Sequence, residues 1–116
     1  MRVFQIGANT YRVTLSHDDI FAGPEWNPSL PLPLDFRQVE RITREELRKL
    51  VADESQWDVT NLGLVRLPRM MRPEWYYVVE LQPKWDGVMT TRGHFSLMVT
   101  LSGRPGKVEL QDISQR

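Results

Sequence analysis

The chain has 116 residues, no cysteine, and 15 basic against 15 acidic residues. This length fits a single domain, residues 1–116, that can bury a core without crosslinks, and the lack of cysteine excludes disulfides and thiolate metal sites within it. The balanced charge argues against general electrostatic attraction to nucleic acid or to anionic membranes. No apolar run is as long as a membrane span and the amino terminus lacks a signal-peptide pattern, so the compartment is unknown, with the cytoplasm expected unless a signal was removed before residue 1.

The opening residues, 1–16, are predicted to form a β-hairpin. Phe4 and Ile6 alternate on its first strand, and Tyr11 and Val13 alternate on its second. A loop of two or four residues between the strands opposes Phe4 to Val13 and Ile6 to Tyr11. The hairpin would then present one shared apolar face.

A proline-rich segment follows over residues 17–35, where we predict no regular element. It is either a linker or a strap over the domain surface, and its part from Ser29 to Leu34 is predicted to be extended and polyproline-like. Two interpretations are open. We favour a connector that lays its leucines on the domain, and the alternative is a ligand for an aromatic groove on a partner.

A helix start is predicted at Thr43, which would be the N-cap residue. Thr43 and Glu46 have the spacing of a capping box, and Ile42 with Leu47 has the spacing of a hydrophobic staple. The apolar pattern fades by about residue 55, so the helix is short. Such a helix is marginal alone and is expected to dock its apolar stripe on a sheet.

Residues 74–81 and 94–102 have the alternation of two central strands. The apolar side chains occupy odd positions on both, namely Trp75, Tyr77, Val79, Leu81, Phe95, Leu97, Val99 and Leu101. The even positions are predicted to form a more polar face. A tight turn at Asp86-Gly87 would pair odd with even positions, so we predict a β-bulge near Gly93 or a longer loop.

Further strands are predicted at Val59–Leu67 and Lys107–Leu110, which completes the core region 36–110. The fold class is therefore predicted to be α+β. It comprises an antiparallel sheet of four to six strands with one short helix across one face, preceded by the hairpin and the proline-rich segment.

The order of these parts over residues 43–110 resembles PepSY-type domains. The matching features are a Thr-Arg-Glu-Glu-Leu helix, a Trp-Tyr-Tyr-Val-Val-Glu-Leu strand and a final Gly-Lys-Val turn into a strand. PepSY-type domains are similar to a cystatin-like half, in which one helix lies across an antiparallel sheet. The resemblance implies a non-catalytic module that binds or inhibits a partner, often in the cell envelope, and it implies no active-site residue.

Catalytic chemistry has few candidates in this chain. Its two histidines are His17 and His94, and neither has the spacing of a metal-ligand motif. His94 could assemble with Ser96 and Glu80 into a serine–histidine–carboxylate set, which makes an enzyme centred on His94 a third functional hypothesis. The chain is otherwise interpreted as lacking an enzymatic role, and we predict no catalytic residue, metal ion or cofactor.

The turn before the first central strand is the predicted partner-binding site. It carries three positive charges, two adjacent methionines and two flanking prolines, and its predicted contact residues are Arg66, Arg69, Met70, Met71 and Arg72. Exposed methionine beside arginine is enriched at protein interfaces. We therefore predict a non-catalytic protein-interaction or inhibitory module with a protein partner. The alternative is a small nucleic-acid-binding protein that uses the same turn.

Overall fold

The computed structural model describes residues 2–21, 26–67, 74–84 and 93–111. The elements are β1 (Arg2–Ile6), β2 (Asn9–Thr14), α1 (His17–Phe21), α2 (Phe36–Arg48), a 3₁₀ helix (Glu54–Gln56), β3 (Trp57–Arg66), β4 (Trp75–Pro83), β5 (Phe95–Thr100) and β6 (Lys107–Gln111). The predicted α+β class is confirmed. No helix in this part of the chain is long and apolar enough to cross a membrane.

The strands form two three-stranded antiparallel sheets, so the prediction of one sheet with one helix is wrong. The hairpin sheet has the order β1-β2-β6, and the core sheet has the order β3-β4-β5. The physical reason is that β6 pairs with β2, with Val108 opposite Val13, instead of extending the core sheet.

The opening hairpin forms as predicted, but its turn lies one residue earlier. Phe4 pairs with Tyr11 and Ile6 with Asn9, so the predicted residue pairs are wrong while the shared apolar face is retained. Gly7 occupies the turn with φ of 59°, a conformation that glycine adopts without steric cost. The rings of Phe4 and Tyr11 stack with centroids 5.1 Å apart.

The central strands pair in the register that their apolar faces require. Val79 lies opposite Leu97, so odd positions face odd positions as predicted. The bulge or longer loop predicted to set this register falls mainly on residues 85–92, which lie outside the described residues. The polar-face prediction is wrong for β5, because Ser96, Met98 and Thr100 are buried as well as the odd positions.

The burial of β5 on both faces has a structural cause. Both β1 and β2 contact it, and the two sheets meet at its ends. Near its start the His94 amide donates to the Gln5 carbonyl at 3.0 Å, and beyond its end the Gly106 amide donates to the Met98 carbonyl at 2.7 Å. The hairpin sheet therefore covers a strand whose alternation alone suggested a solvent-facing side.

Strand β3 confirms the strand predicted over Val59–Leu67, although it begins at Trp57. A register shift between Val59 and Asn61 is a β-bulge that resolves its ambiguous facing. After the bulge, Leu62 lies opposite Val79. This places Leu62 and Leu64 on the same face as the odd positions of β4, and Val65, which lies opposite Tyr76, on the other face.

Helix α2 begins earlier than predicted, at Phe36, and its N-cap is Asp35. The Gln38 amide donates to the Asp35 carboxylate at 2.8 Å, and the Asp35 amide donates to the Gln38 side chain at 2.9 Å. The predicted cap at Thr43 is wrong, because this residue is buried within the helix and its hydroxyl donates to the Val39 carbonyl at 2.8 Å. Val39, Thr43 and Leu47 form the buried stripe of the helix, which contacts β4 and β5.

The proline-rich segment contains a short helix that was not predicted. Helix α1 spans His17–Phe21, ahead of the first proline of the segment. The Ser16 hydroxyl accepts a hydrogen bond from the Asp19 amide at 3.1 Å, which is typical of a helix N-cap.

Candidate protein-interaction surface

The predicted partner-binding turn connects β3 to β4. Arg66 is exposed at the end of β3, and beyond it the Leu67 amide donates to the Glu74 carbonyl at 2.8 Å, which closes the hairpin. The other predicted contact residues, Arg69, Met70, Met71 and Arg72, lie outside the described residues. This surface therefore stays a prediction.

The structure does not assemble the set suggested around His94. Arg2 donates to the Glu80 carboxylate at 3.2 Å and to the Ser96 hydroxyl at 3.4 Å, so an arginine occupies the position proposed for the imidazole. His94 is exposed in a shallow groove whose other described lining residues are Gln5, Gly7, Gln82 and Gly93. Among the described residues, no group of three His, Cys, Asp or Glu side chains could hold a metal ion.

Residues 26–35, the described part of the proline-rich segment that follows α1, are called the strap. Its first anchor is Trp26, a buried side chain whose indole N–H donates to the Pro31 carbonyl at 2.8 Å. The Trp26 ring also meets the Trp75 ring edge-on, with centroids 5.2 Å apart. These contacts fix the middle of the strap against β4.

The second anchor is the Tyr77 hydroxyl, which lies on the core face of β4. It donates to the Leu34 carbonyl at 2.7 Å and accepts from the Leu34 amide at 3.1 Å. The strap is thus hydrogen-bonded to the core immediately before the Asp35 N-cap of α2. The amide and the carbonyl of Leu34 both hydrogen-bond to the Tyr77 hydroxyl, which orders this part of the backbone.

The start of the strap does not have the predicted polyproline-like conformation. The Leu30 amide donates to the Asn27 carbonyl at 3.0 Å, and the Ser29 amide donates to the Asn27 side chain at 2.9 Å. These bonds close a turn, whereas a polyproline helix has no internal hydrogen bonds. The prediction is wrong for Ser29 and Leu30, which belong to this turn.

Three large apolar side chains at the strap and the start of α2 face solvent. Leu30 is 47% exposed, Leu32 40% and Phe36 47%, and we call these three residues the strap surface. Leu34, in contrast, packs against the core. The connector interpretation is therefore right for Leu34 and wrong for Leu30 and Leu32.

An arginine row runs along α2 and begins one residue after Phe36. It consists of Arg37, Arg41, Arg44 and Arg48, at intervals of four, three and four residues, and with Glu40 it lines an open groove of about 300 Å³. Side chains at these intervals share one face of a helix. The row spans about 16 Å along the helix axis, at 1.5 Å per residue.

Half of the arginine row has a structural role. Arg44 donates to Glu40 at 2.7 Å, to Glu54 at 2.9 Å and to the Trp57 carbonyl at 3.0 Å, which ties α2 to the 3₁₀ helix and β3. Arg48 adds a second contact to Glu54 at 3.2 Å. Hydrogen bonds from Arg44 lower the pKa of Glu54; burial opposes this effect, and the hydrogen bond from Arg48 reinforces it.

Tyr77→Phe is expected to lower the free energy of unfolding by about 1 to 2 kcal/mol, because the Leu34 amide and carbonyl lose their partner. Burial raises the pKa of the Tyr77 hydroxyl above its ordinary 10.0, with the Leu34 hydrogen bond opposing and Asp35 reinforcing the change. The folded state therefore holds this proton more tightly. The stabilisation from the Tyr77 hydroxyl is complete below its pKa in the unfolded chain. It declines as the pH rises from about 10 towards its higher pKa in the folded protein.

Urea denaturation at about pH 8 and about pH 10.5 checks this linkage, since the phenylalanine variant has no hydroxyl to titrate. The alkaline loss of stability should be smaller in the variant than in the wild type. Equal losses would mean that other groups cause the decline.

The strap surface and the arginine row were missed because the sequence-based helix start was placed at Thr43. With residues 36–42 outside the predicted helix, the spacing of Arg37, Arg41, Arg44 and Arg48 had no structural meaning. The signal was nevertheless present, since Asp35 and Gln38 have capping-box spacing and the four arginines follow at helical intervals.

A scan against protein-family models and searches of curated proteins and of solved structures found no match to the chain. The resemblance to PepSY-type domains therefore stays a prediction from the sequence.

Proposed function

We propose that the protein is a non-catalytic protein-interaction module and that the strap surface contacts its partner. The observation that supports this proposal is the concentration of Leu30, Leu32 and Phe36, all 40% exposed or more, on a backbone anchored at Pro31 and Leu34. Single exposed apolar side chains are ordinary on a protein surface. Three of them within seven residues of an anchored backbone are the feature on which we base an interaction site.

The anchors matter energetically because they order the strap before any partner arrives. A segment already fixed by Trp26 and Tyr77 loses less conformational entropy on binding than a free loop does. Burial of the remaining exposed area would contribute about 1 kcal/mol for each of the three side chains. Burial of all three side chains, about 3 kcal/mol in total, would lower the dissociation constant about a hundredfold.

A display library of random peptides of about 16 residues, selected on the wild-type protein, tests the proposal. The double variant Leu32→Ser/Phe36→Ser should bind the selected peptides about thirtyfold more weakly, because two of the three apolar contacts are removed. Its melting temperature should change little, since both side chains are substantially exposed. Binding is measured by fluorescence anisotropy.

The matched control is Val3→Ser/Leu110→Ser, which removes two exposed apolar side chains that lie on β1 and β6. This control should retain wild-type affinity. Equal binding by the strap variant and the wild type would overturn the assignment to the strap surface.

A third variant, Arg69→Glu/Met70→Ser, tests the turn predicted from the sequence. If it alone loses binding, the turn between β3 and β4 is the interface, and the strap assignment is wrong while the function as an interaction module is retained. Inhibition of an enzyme would be one consequence of such binding and is measured on the partner once it is known.

A further inference from the structure

The amino-terminal half of the arginine row differs from the rest in its contacts with the described residues. Arg37 and Arg41 are exposed, and neither guanidinium has a hydrogen bond or an ion pair with any described residue. Like charges four residues apart in a helix destabilise it by about 0.2 to 0.5 kcal/mol. Arg44 offsets its own charge through Glu40 and Glu54, but this compensation does not extend to Arg37 and Arg41.

These two arginines adjoin the strap surface. Phe36 immediately precedes Arg37, and one turn later Glu40 lines the same groove as Arg37 and Arg41. One exposed apolar and two exposed cationic side chains therefore occur within the first two turns of α2, on adjoining faces of the helix. A ligand that covers Phe36 can reach both guanidinium groups without leaving the helix.

We infer that the protein binds an acidic amphipathic peptide segment, whose carboxylates pair with Arg37 and Arg41 and whose apolar side chains cover Phe36 and Leu32. This inference rests on the proposed function and adds the chemistry of the partner. Guanidinium groups bind carboxylates through two parallel hydrogen bonds, which fixes the orientation of the segment as well as its charge. The opposite charges also accelerate association.

Nucleic acid fits the same surface less well. The chain has no net charge, and the groove contains the carboxylate of Glu40 among its arginines. Nucleic-acid sites are dominated by basic residues that neutralise several phosphates. The exposed apolar side chains of the strap surface also favour apolar peptide side chains over a phosphate backbone.

The test uses fluorescence anisotropy with labelled peptides of about 14 residues. One peptide places glutamate beside leucine and phenylalanine in a helical pattern, and a second replaces each glutamate by glutamine. The acidic peptide should bind at least about tenfold more tightly than the glutamine peptide at about 50 mM salt, and the difference should shrink at about 200 mM.

The variant Arg37→Gln/Arg41→Gln should bind the acidic peptide about tenfold more weakly and the glutamine peptide unchanged. The matched control is Arg12→Gln/Lys84→Gln, which removes two exposed positive charges, one on β2 and one immediately after the end of β4. The control should bind both peptides as the wild type does.

The outcomes separate this inference from the proposed function. If both peptides bind equally and only Leu32→Ser/Phe36→Ser weakens them, the strap surface is an apolar site, and the assignment of an acidic partner is wrong. If neither peptide binds, the inference is overturned as well. Single-stranded DNA of about 20 nucleotides is the remaining probe. If the protein binds this DNA more tightly than the acidic peptide, and Arg37→Gln/Arg41→Gln abolishes the DNA binding, the inference is wrong and the ligand of these arginines is nucleic acid.

Discussion

Leu97→Ala is expected to lower the free energy of unfolding by about 3 kcal/mol. Leu97 is fully buried in β5, opposite Val79 of β4, and β5 also contacts α2 and both strands of the opening hairpin. Truncation there leaves a cavity enclosed by several elements that cannot all move inwards. Urea denaturation followed by tryptophan fluorescence measures the loss, with the slope of the transition expected to stay constant.

The matched control for this change is the neighbouring Ser96→Ala. Ser96 is also buried, but its hydroxyl accepts only a long bond from Arg2 at 3.4 Å, so its loss should cost about 1 kcal/mol or less. Equal costs for the two variants would show that the odd face of β5 is not the principal core. Thr100, another buried even position of β5, should tolerate alanine less well than Ser96, because its hydroxyl accepts from the Arg104 amide at 2.9 Å.

Gly93→Ala is expected to cost about 2 kcal/mol, because this residue lies where the two sheets meet. Gly93 bridges Ile6 of β1, and a Cβ atom built on it would lie 2.8 Å from the Gln5 carbonyl oxygen. That oxygen also accepts from the His94 amide, so it cannot move away without loss of a hydrogen bond between the sheets. The alanine Cβ can avoid this backbone oxygen only if a strand shifts, and a shift of this kind lowers the free energy of unfolding by about 1 to 3 kcal/mol.

Gly63→Ala provides the control for the glycine prediction. Gly63 lies within β3, and a Cβ atom there would meet nothing within 4 Å. The substitution should therefore be neutral or slightly stabilising, because alanine restricts the unfolded chain. A Gly93→Ala variant as stable as Gly63→Ala in the same thermal melt would mean that the sheets do not meet at Gly93 in solution.

The sequence by itself determined the features that depend on consecutive residues. The strands β4 and β5, their apolar odd positions and the shared face of the opening hairpin follow from period-two alternation. The pairing of odd with odd positions between β4 and β5 also follows, because only such a register keeps the two apolar faces, with Val79 and Leu97, on the same side of the sheet. Each of these conclusions uses information contained in a few neighbouring side chains.

The helix start was decided by tertiary structure. Two segments have capping-box spacing, one beginning at Asp35 and the other at Thr43, and local chemistry does not rank them. The longer helix is selected because it adds Val39 to the buried stripe over β4 and β5. Thr43 then becomes an interior residue, whose hydroxyl is satisfied by the carbonyl one turn earlier.

The sheet order and the exposure of the strap also required the tertiary structure. Strand β6 pairs with β2 rather than with β5, and the strap is held by Tyr77, 43 positions from Leu34 in the chain. Contacts between residues so far apart in the chain depend on which elements meet in space. Each must offset the entropy lost on closing the intervening loop, and no local sequence pattern shows which contacts do so. The exposure of the strap surface, and of Arg37 and Arg41, is therefore decided only when α2 and the strap are placed against β4.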